Sequence, residues 1–172
     1  MFIDGGYLNR VLKNCFDAVN IDYLKFCNTT CKDLNVNRLR TYYYHSLPII
    51  RKGNKDDERR YSKMKLFIDN LKRLPRFEVK LGKLQLIGEQ FRQKMVDVLM
   101  SIDIIKKSIR KMIKQIIIIA GDADFVSAIK MSKDNDILIH LFYHPSSIHN
   151  ELLDEIDELH FISEEIIDNC KK

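Results

Sequence analysis

Residues 116–125 read IIIIAGDADF, a run of isoleucine that stops at a glycine and is followed by two aspartates one residue apart, Asp122 and Asp124. Asp4 stands in a similar setting behind Phe2 and Ile3, and Asp97 opens the apolar segment that begins after Lys94 and Met95. Each carboxylate has a structural explanation. At 122 or 124 an aspartate caps a helix by accepting a bond from an exposed backbone N–H, worth about 1 kcal/mol. Asp4 can open a tight turn with Gly5 and Gly6, and Asp97 can favour a helix dipole. Against four separate roles stands the cost of convergence, because carboxylates brought together raise one another's pKa unless they share a cation. An all-oxygen set without histidine or cysteine selects a hard divalent ion, Mg2+ or Mn2+, over zinc or copper. Such an ion activates water and clamps a phosphodiester as charge builds on its oxygens, so the implied chemistry is phosphodiester hydrolysis.

Convergence depends on the elements that carry these residues. The 172 residues suit one domain, 1–172, with no linker, repeat or low-complexity tract to divide them. FI before Asp4 reads as a short buried strand, and GYLNRVLKNCF after it has helical spacing from Leu8 through Val11, Leu12 and Cys15. RTYYYHSLP suits a second strand, ERRYSKMKLFIDNLKRLP a helix closed by Pro75, and FEVKLGKLQL a third strand with a bulge or bend at Gly82. KMVDVLMSIDIIKKSIRKMI is apolar on most of its circumference, the mark of a helix packed deep against a sheet. QIIIIA, a helix over 125–133, the strand ILIHLFY and an amphipathic acidic tail complete the chain. Strands alternating with helices predict an α/β fold with a mainly parallel sheet, and continuous isoleucine fits a strand covered on both faces. In such sheets ligands sit beyond the carboxyl ends of the strands, where Asp4 and Asp122 both fall and where the start of the Asp97 helix also points.

Charge is unevenly distributed. From Arg51 to Lys94 there are 14 Lys or Arg against 6 Asp or Glu, a local excess of +8 in a chain whose total is +5. Glu151 to Asp168 holds 8 acids and no Lys or Arg. The basic middle is either a solvated face or an anion-binding surface, and in the latter case Arg51, Lys52, Arg59, Arg60 and Lys63 bind a nucleic-acid backbone with strong salt dependence. Within it, RKGNKDDERR is the best candidate for a mobile loop. Tyr42, Tyr43 and Tyr44 offer stacking surfaces to unpaired bases only if alternation leaves one of them out of the core. An acidic tail docking on the basic middle of another copy would make a homo-oligomer. Of Cys15, Cys27, Cys31 and Cys170 only Cys27 and Cys31 lie close together, and no second pair or nearby histidine completes a zinc set. No apolar run approaches the ~18 residues of a membrane span, so no membrane association is expected. The opening MFIDGG lacks a secretory pattern, so the expected compartment is cytoplasmic.

FIDGGYL, QKMVDVLMSID, IIIIAGDADF and the closing ELLDEIDELHFI together resemble the NYN domain, the LabA-like branch of the PIN-like nucleases, in order and over nearly the whole chain. The resemblance implies a three-layer α/β/α Rossmann-like (PIN-like) fold and a metal-dependent ribonuclease using Mg2+ or Mn2+. It carries function onto Asp4, Asp97 and Asp122, and Asp124 matches a further acid of the GDxDF motif. Asp103 matches an acid on the same helix as Asp97, but six residues rotate it roughly 240° away on an ideal helix, which suits a supporting or structural partner. Two positions depart from the family pattern: Tyr7 stands where asparagine is frequent, and Met95 where glycine is common. Lys94, three residues before Asp97, could neutralise a phosphate or simply be solvated. Ser127, in the first turn after the motif, could contact water or phosphate or lie on a helix surface. The expected partner is single-stranded RNA. The rival reading keeps fold, acids and RNA binding without cleavage. A small-molecule phosphatase or nucleotide-binding enzyme is disfavoured, because neither GxxxxGK[ST] nor GxGxxG occurs in the chain.

Overall fold

The computed structural model of the chain describes residues 1–87, 90–110 and 113–172 and, within 83–94, the backbone alone. Seven strands form one sheet: β1 (Phe2–Asp4), β2 (Thr41–Ser46), β3 (Phe77–Ile87), β4 (Gln90–Lys94), β5 (Gln115–Ile119), β6 (Leu138–Tyr143) and β7 (Glu158–Phe161). The spatial order is β4-β3-β2-β1-β5-β6-β7, and every neighbouring pair is parallel except β3 with β4. Gly82 marks the handover within β3. It is the last residue in register with β2, and from Lys83 onward the strand pairs with β4.

The helices are α1 (Gly5–Cys15), α2 (Tyr23–Asp33), α3 (Lys55–Lys72), α4 (Val96–Ile109), α5 (Val126–Lys133), α6 (Asn150–Leu153) and α7 (Glu164–Asp168). Side chains alternate across a strand, and this explains the isoleucine block. Ile117 and Ile119 join a core layer with Leu8 and Val11 of α1, Phe26 of α2 and Ile68 of α3. Ile116 and Ile118 join the opposite layer with Met100 and Ile104 of α4 and Ile129 of α5. A strand with helices on both faces has no polar side, so its sequence cannot alternate.

The same alternation sends Tyr43 to the first layer and Tyr42 and Tyr44 to the second. All three are buried, which leaves no open ring face for an unpaired base. Helix α4 is tied to the sheet by Asp103, whose carboxylate accepts from the Tyr44 hydroxyl at 2.8 Å and the Lys80 ammonium at 2.5 Å. This helix is not packed deep on every side, since Val98, Ile102 and Ile109 face outward at 55%, 41% and 56% exposure. Among the described residues no helix is long and apolar enough to cross a membrane.

Two segments depart from the sequence reading. The acidic tail is not a single amphipathic element: β7 joins the sheet between α6 and α7. Six of the ten residues of RKGNKDDERR are helix rather than loop, because Asn54 caps α3 by accepting from the Asp56 and Asp57 amides at 3.1 Å each. Asp56, Asp57 and Glu58 then place negative charge on the first turn, where the helix end is partly positive. Arg51 grips Asp57 through two bonds, Nε to Oδ2 at 2.6 Å and Nη2 to Oδ1 at 3.0 Å, and holds that carboxyl down at about 2. Asn54→Ala is expected to cost about 1 kcal/mol in urea denaturation. Lys52→Ala, on the exposed turn before the cap, is expected to leave the midpoint unchanged.

Candidate active site

The sequential strands β1, β2 and β3 grow the sheet in one direction, while β5, β6 and β7 grow it in the other. The reversal lies between β1 and β5, which pair from Phe2 with Ile118 to Ile3 with Ile119. Segments leaving the two strands diverge to opposite faces there and open a crevice at the carboxyl edge. Asp4 ends β1, Asp122 lies three residues past β5, and Asp97 sits in the first turn of α4.

Asp4 is 7% exposed and caps α1, its Oδ1 accepting from the amides of Gly6 at 2.8 Å and Tyr7 at 3.0 Å. Burial raises its pKa, the Asp97 charge raises it further, and the two backbone donors work against both. Asp97 is half-buried, and its pKa is raised by burial, then by the charges of Asp122 and Asp124. The four carboxylates therefore feel one another through Asp97. Asp122 caps a short 3-10 turn, Ala123–Phe125, accepting from the Asp124 amide at 3.3 Å, and Asp124 is exposed. Capping and convergence thus coexist, since each cap leaves other carboxylate lone pairs unused.

The close fit of this edge depends on two glycines. A Cβ at Gly5 would run into the Tyr43 ring, and one at Gly121 would run into the Tyr7 ring and the Ser147 carbonyl oxygen. Tyr7 is buried, and its hydroxyl accepts from the His144 amide at 2.9 Å. The position where the family often carries asparagine here braces α1 against the segment after β6. Met95, where glycine is common, has φ 78°, in the left-handed region that a side chain disfavours.

Sequence reasoning passed over Arg10, which borders the crevice, and His45, which meets α1 at Asn9. Arg10, exposed on α1, lowers the proton affinity of both Asp4 and Asp97. It lines a cavity of about 270 Å3 with Tyr7, Gly121, Asp122, Ser146 and His149. Its only sequence signal is a cation within two turns of a helix that starts at a buried carboxylate. His45, one residue beyond the Tyr44 that registers with Asp4, accepts at Nδ1 from the Ser46 amide at 2.8 Å. Its Nε2 lies 3.3 Å from Asn9 Nδ2, and burial lowers its pKa, which keeps the ring neutral.

The other expected positions are dispersed. Asp103 serves the Tyr44 and Lys80 contacts, Ser127 is exposed on α5, and the side chain of Lys94 lies outside the described residues. Lys52, Arg59, Arg60 and Lys63 are exposed, whereas Arg51 is engaged with Asp57. Arg60 and Lys63 of α3 line a cleft of about 460 Å3 with Asn9 of α1, the neighbour of Arg10.

All four candidate ligands are carboxylates, with Asp97 opposed by the charges of its neighbours, which fits a hard divalent cation. Among the described residues, no three His, Cys, Asp or Glu side chains are grouped closely enough to hold one ion. An ion here would thus take one or two carboxylates and complete its shell with water, the usual habit of Mg2+.

A mainly parallel sheet covered by helices on both faces, with acids at its strand-order reversal, is a PIN-like α/β/α domain. The chain belongs to the NYN domain family, whose profile matches residues 1–165 and which is part of the PIN-like nuclease superfamily. The crystal structure of a protein of unknown function from Vibrio parahaemolyticus RIMD 2210633 shares the fold, with a TM-score of 0.65 at 14% identity. That alignment covers 99% of this chain and 93% of the other. A search of the curated proteins found no significant match.

The raised proton affinity of Asp97 has a definite sign. A carboxyl that is harder to ionise when folded favours the unfolded chain once the pH rises above its ordinary 3.8, and has no such effect below it. In EDTA, Asp97→Asn is expected to raise the melting temperature at pH 7 and to leave it unchanged at about pH 3. Added Mg2+ is expected to stabilise the wild type more than the variant.

Proposed function

We propose that this domain is a metal-dependent ribonuclease that hydrolyses phosphodiester bonds of single-stranded RNA. The observation that carries the reading is the electrostatic coupling of Asp97 to Asp4, Asp122 and Asp124 at the strand-order reversal. Asp97, opposed by its neighbouring acids, is costly to ionise, and a cation beside it removes that cost. Asp4, Asp97, Asp122 and Asp124 would hold Mg2+ or Mn2+ between them, one or two carboxylates binding directly and the others through water. Bound there, the ion supplies charge neutralisation on the phosphate and favours deprotonation of the attacking water.

The chain's own residues do the rest. Backbone N–H groups hold Asp4 in place, so its carboxylate needs little reorganisation to meet a cation. Arg10 offers its guanidinium to a phosphate beside Asp122. Arg59, Arg60 and Lys63 receive the flanking backbone by releasing counterions, a mode of binding with little sequence preference.

The rival reading, an RNA-binding module that does not cleave, is favoured by one observation: no three carboxylates are grouped as a ready ligand set among the described residues. The two separate in a single assay. Labelled single-stranded RNA is incubated with purified protein in Mn2+ or Mg2+, beside an EDTA control and Asp122→Asn. The nuclease reading expects cleavage that EDTA abolishes and that the substitution lowers by at least about 100-fold, the scale of losing one electrostatic contributor. Binding without cleavage establishes the rival, and equal cleavage by the variant removes Asp122 from the site.

Replacing Arg60 and Lys63 with alanine is expected to weaken RNA binding for all sequences alike. The slope of log affinity against log salt should fall by about 1 for each cation that meets a phosphate. An unchanged slope would place the RNA path elsewhere.

A further inference from the structure

The opposite, amino-terminal edge of the sheet carries a second concavity, of about 610 Å3. It lies where β1, β2 and β5 begin, between the loop ahead of β2 and the end of α4. Five cationic side chains line it, Arg38, Arg40, Lys107, Arg110 and Lys114, and no carboxylate does among the described residues. Arg38 donates to neutral oxygens of Asn28, Thr41, Pro75 and Arg76. Arg40 has one exposed acid, Glu78, at 3.7 Å. Lys107 rests over the Tyr42 ring at 5.2 Å, and neither it, Arg110 nor Lys114 has a carboxylate partner among the described residues.

Cations gathered around a concavity with low-dielectric walls focus a positive potential into it. Basic residues at the end of α4 favour the helix dipole, and that accounts for Lys107 and Arg110 alone. It does not account for Arg40 and Lys114, which reach the same space from the loop ahead of β2 and the segment ahead of β5. Most of the remaining wall is apolar, including Phe2, Leu39, Ile113 and Ile116, with Asn37 and Gln115 as its polar members. A cavity of this size accepts one small molecule, and its pairing of apolar wall with clustered cations suits a flat base carrying several phosphates.

We propose that this cavity is a binding site for a nucleoside polyphosphate, separate from the carboxylate crevice at the other edge of the sheet. Guanidinium and ammonium groups hold the phosphates, while Leu39 and Ile113 cover the base. The inference does not depend on the nuclease reading, because it uses none of the crevice residues.

The test is equilibrium titration of the full chain, in EDTA to prevent hydrolysis, with ATP, GTP, tripolyphosphate and adenosine. The expected result is saturable ATP or GTP binding below about 1 mM, weaker binding of tripolyphosphate, and none of adenosine. Arg110→Glu and Lys114→Glu should each weaken nucleotide binding by about tenfold or more, the worth of one charge-assisted contact, while Asp122→Asn leaves it unchanged. Amide shifts in the unsubstituted chain provide a readout that no folding defect can blur: they should move at Leu39, Tyr42 and Ile116 and stay fixed at Asp4 and Asp122. Absence of saturable binding overturns the proposal, as does indifference to both charge reversals. Equal affinity for tripolyphosphate overturns the nucleotide assignment. Binding of a single-stranded oligonucleotide but not of ATP would make the cavity part of an RNA path instead.

Discussion

A buried carboxylate at the end of a strand is costly unless backbone donors meet it, and Asp4 is met by two, from Gly6 and Tyr7. Those bonds turn the chain from β1 into α1 within one residue. They also fix where the Asp4 charge points and thereby how strongly Asp97 opposes it. The acid crevice is therefore assembled around a helix cap: the same oxygen that starts α1 locates the first charge of the cluster. Asp122 repeats the device at β5 with a weaker bond and a shorter helical turn.

Close approach at this edge is what lets both strands deliver their acids to one place. Gly5 has the Tyr43 ring directly beneath it, and Gly121 is pressed between the Tyr7 ring and the Ser147 carbonyl. Tyr7 supports the arrangement from α1 by holding the His144 amide. A side chain at either glycine would push a strand end away from its neighbour, and interiors packed at crystal density do not absorb such displacements cheaply. Met95 shows the opposite economy, since a residue with a side chain occupies a left-handed conformation just before Asp97.

The two edges of the sheet carry opposite charge. Acids gather at the carboxyl ends of β1 and β5, and cations gather where those strands begin. Helix α4 spans both, with Asp97 in its first turn and Lys106 and Lys107 in its last. That polarity agrees with the helix dipole at each end. Its buried middle is anchored by Asp103 to Tyr44 and Lys80, so the two ends are held by one rigid element.

Local pattern was enough for much of this chain. Unbroken isoleucine at 116–119 specified a strand covered on both faces, alternation sorted Tyr43 from Tyr42 and Tyr44, and the glycine after the isoleucines put Asp122 and Asp124 beyond a strand end, because each depends on neighbours in sequence. RKGNKDDERR looked like a loop by composition, and there the deciding signal was itself local, since the Asn54 cap and the Arg51 grip on Asp57 make six of its ten residues helix. Where local signals competed, tertiary context decided. ELHF lay within an acidic tail, and only β6 as a pairing partner makes it a strand. Arg10 meets Asp122 only because β5 lies beside β1, a fact of strand order that no stretch of sequence contains. The amino acids by themselves determined which residues are charged, buried or able to cap. The fold decided which charges meet, because electrostatic coupling follows distance in space rather than separation along the chain.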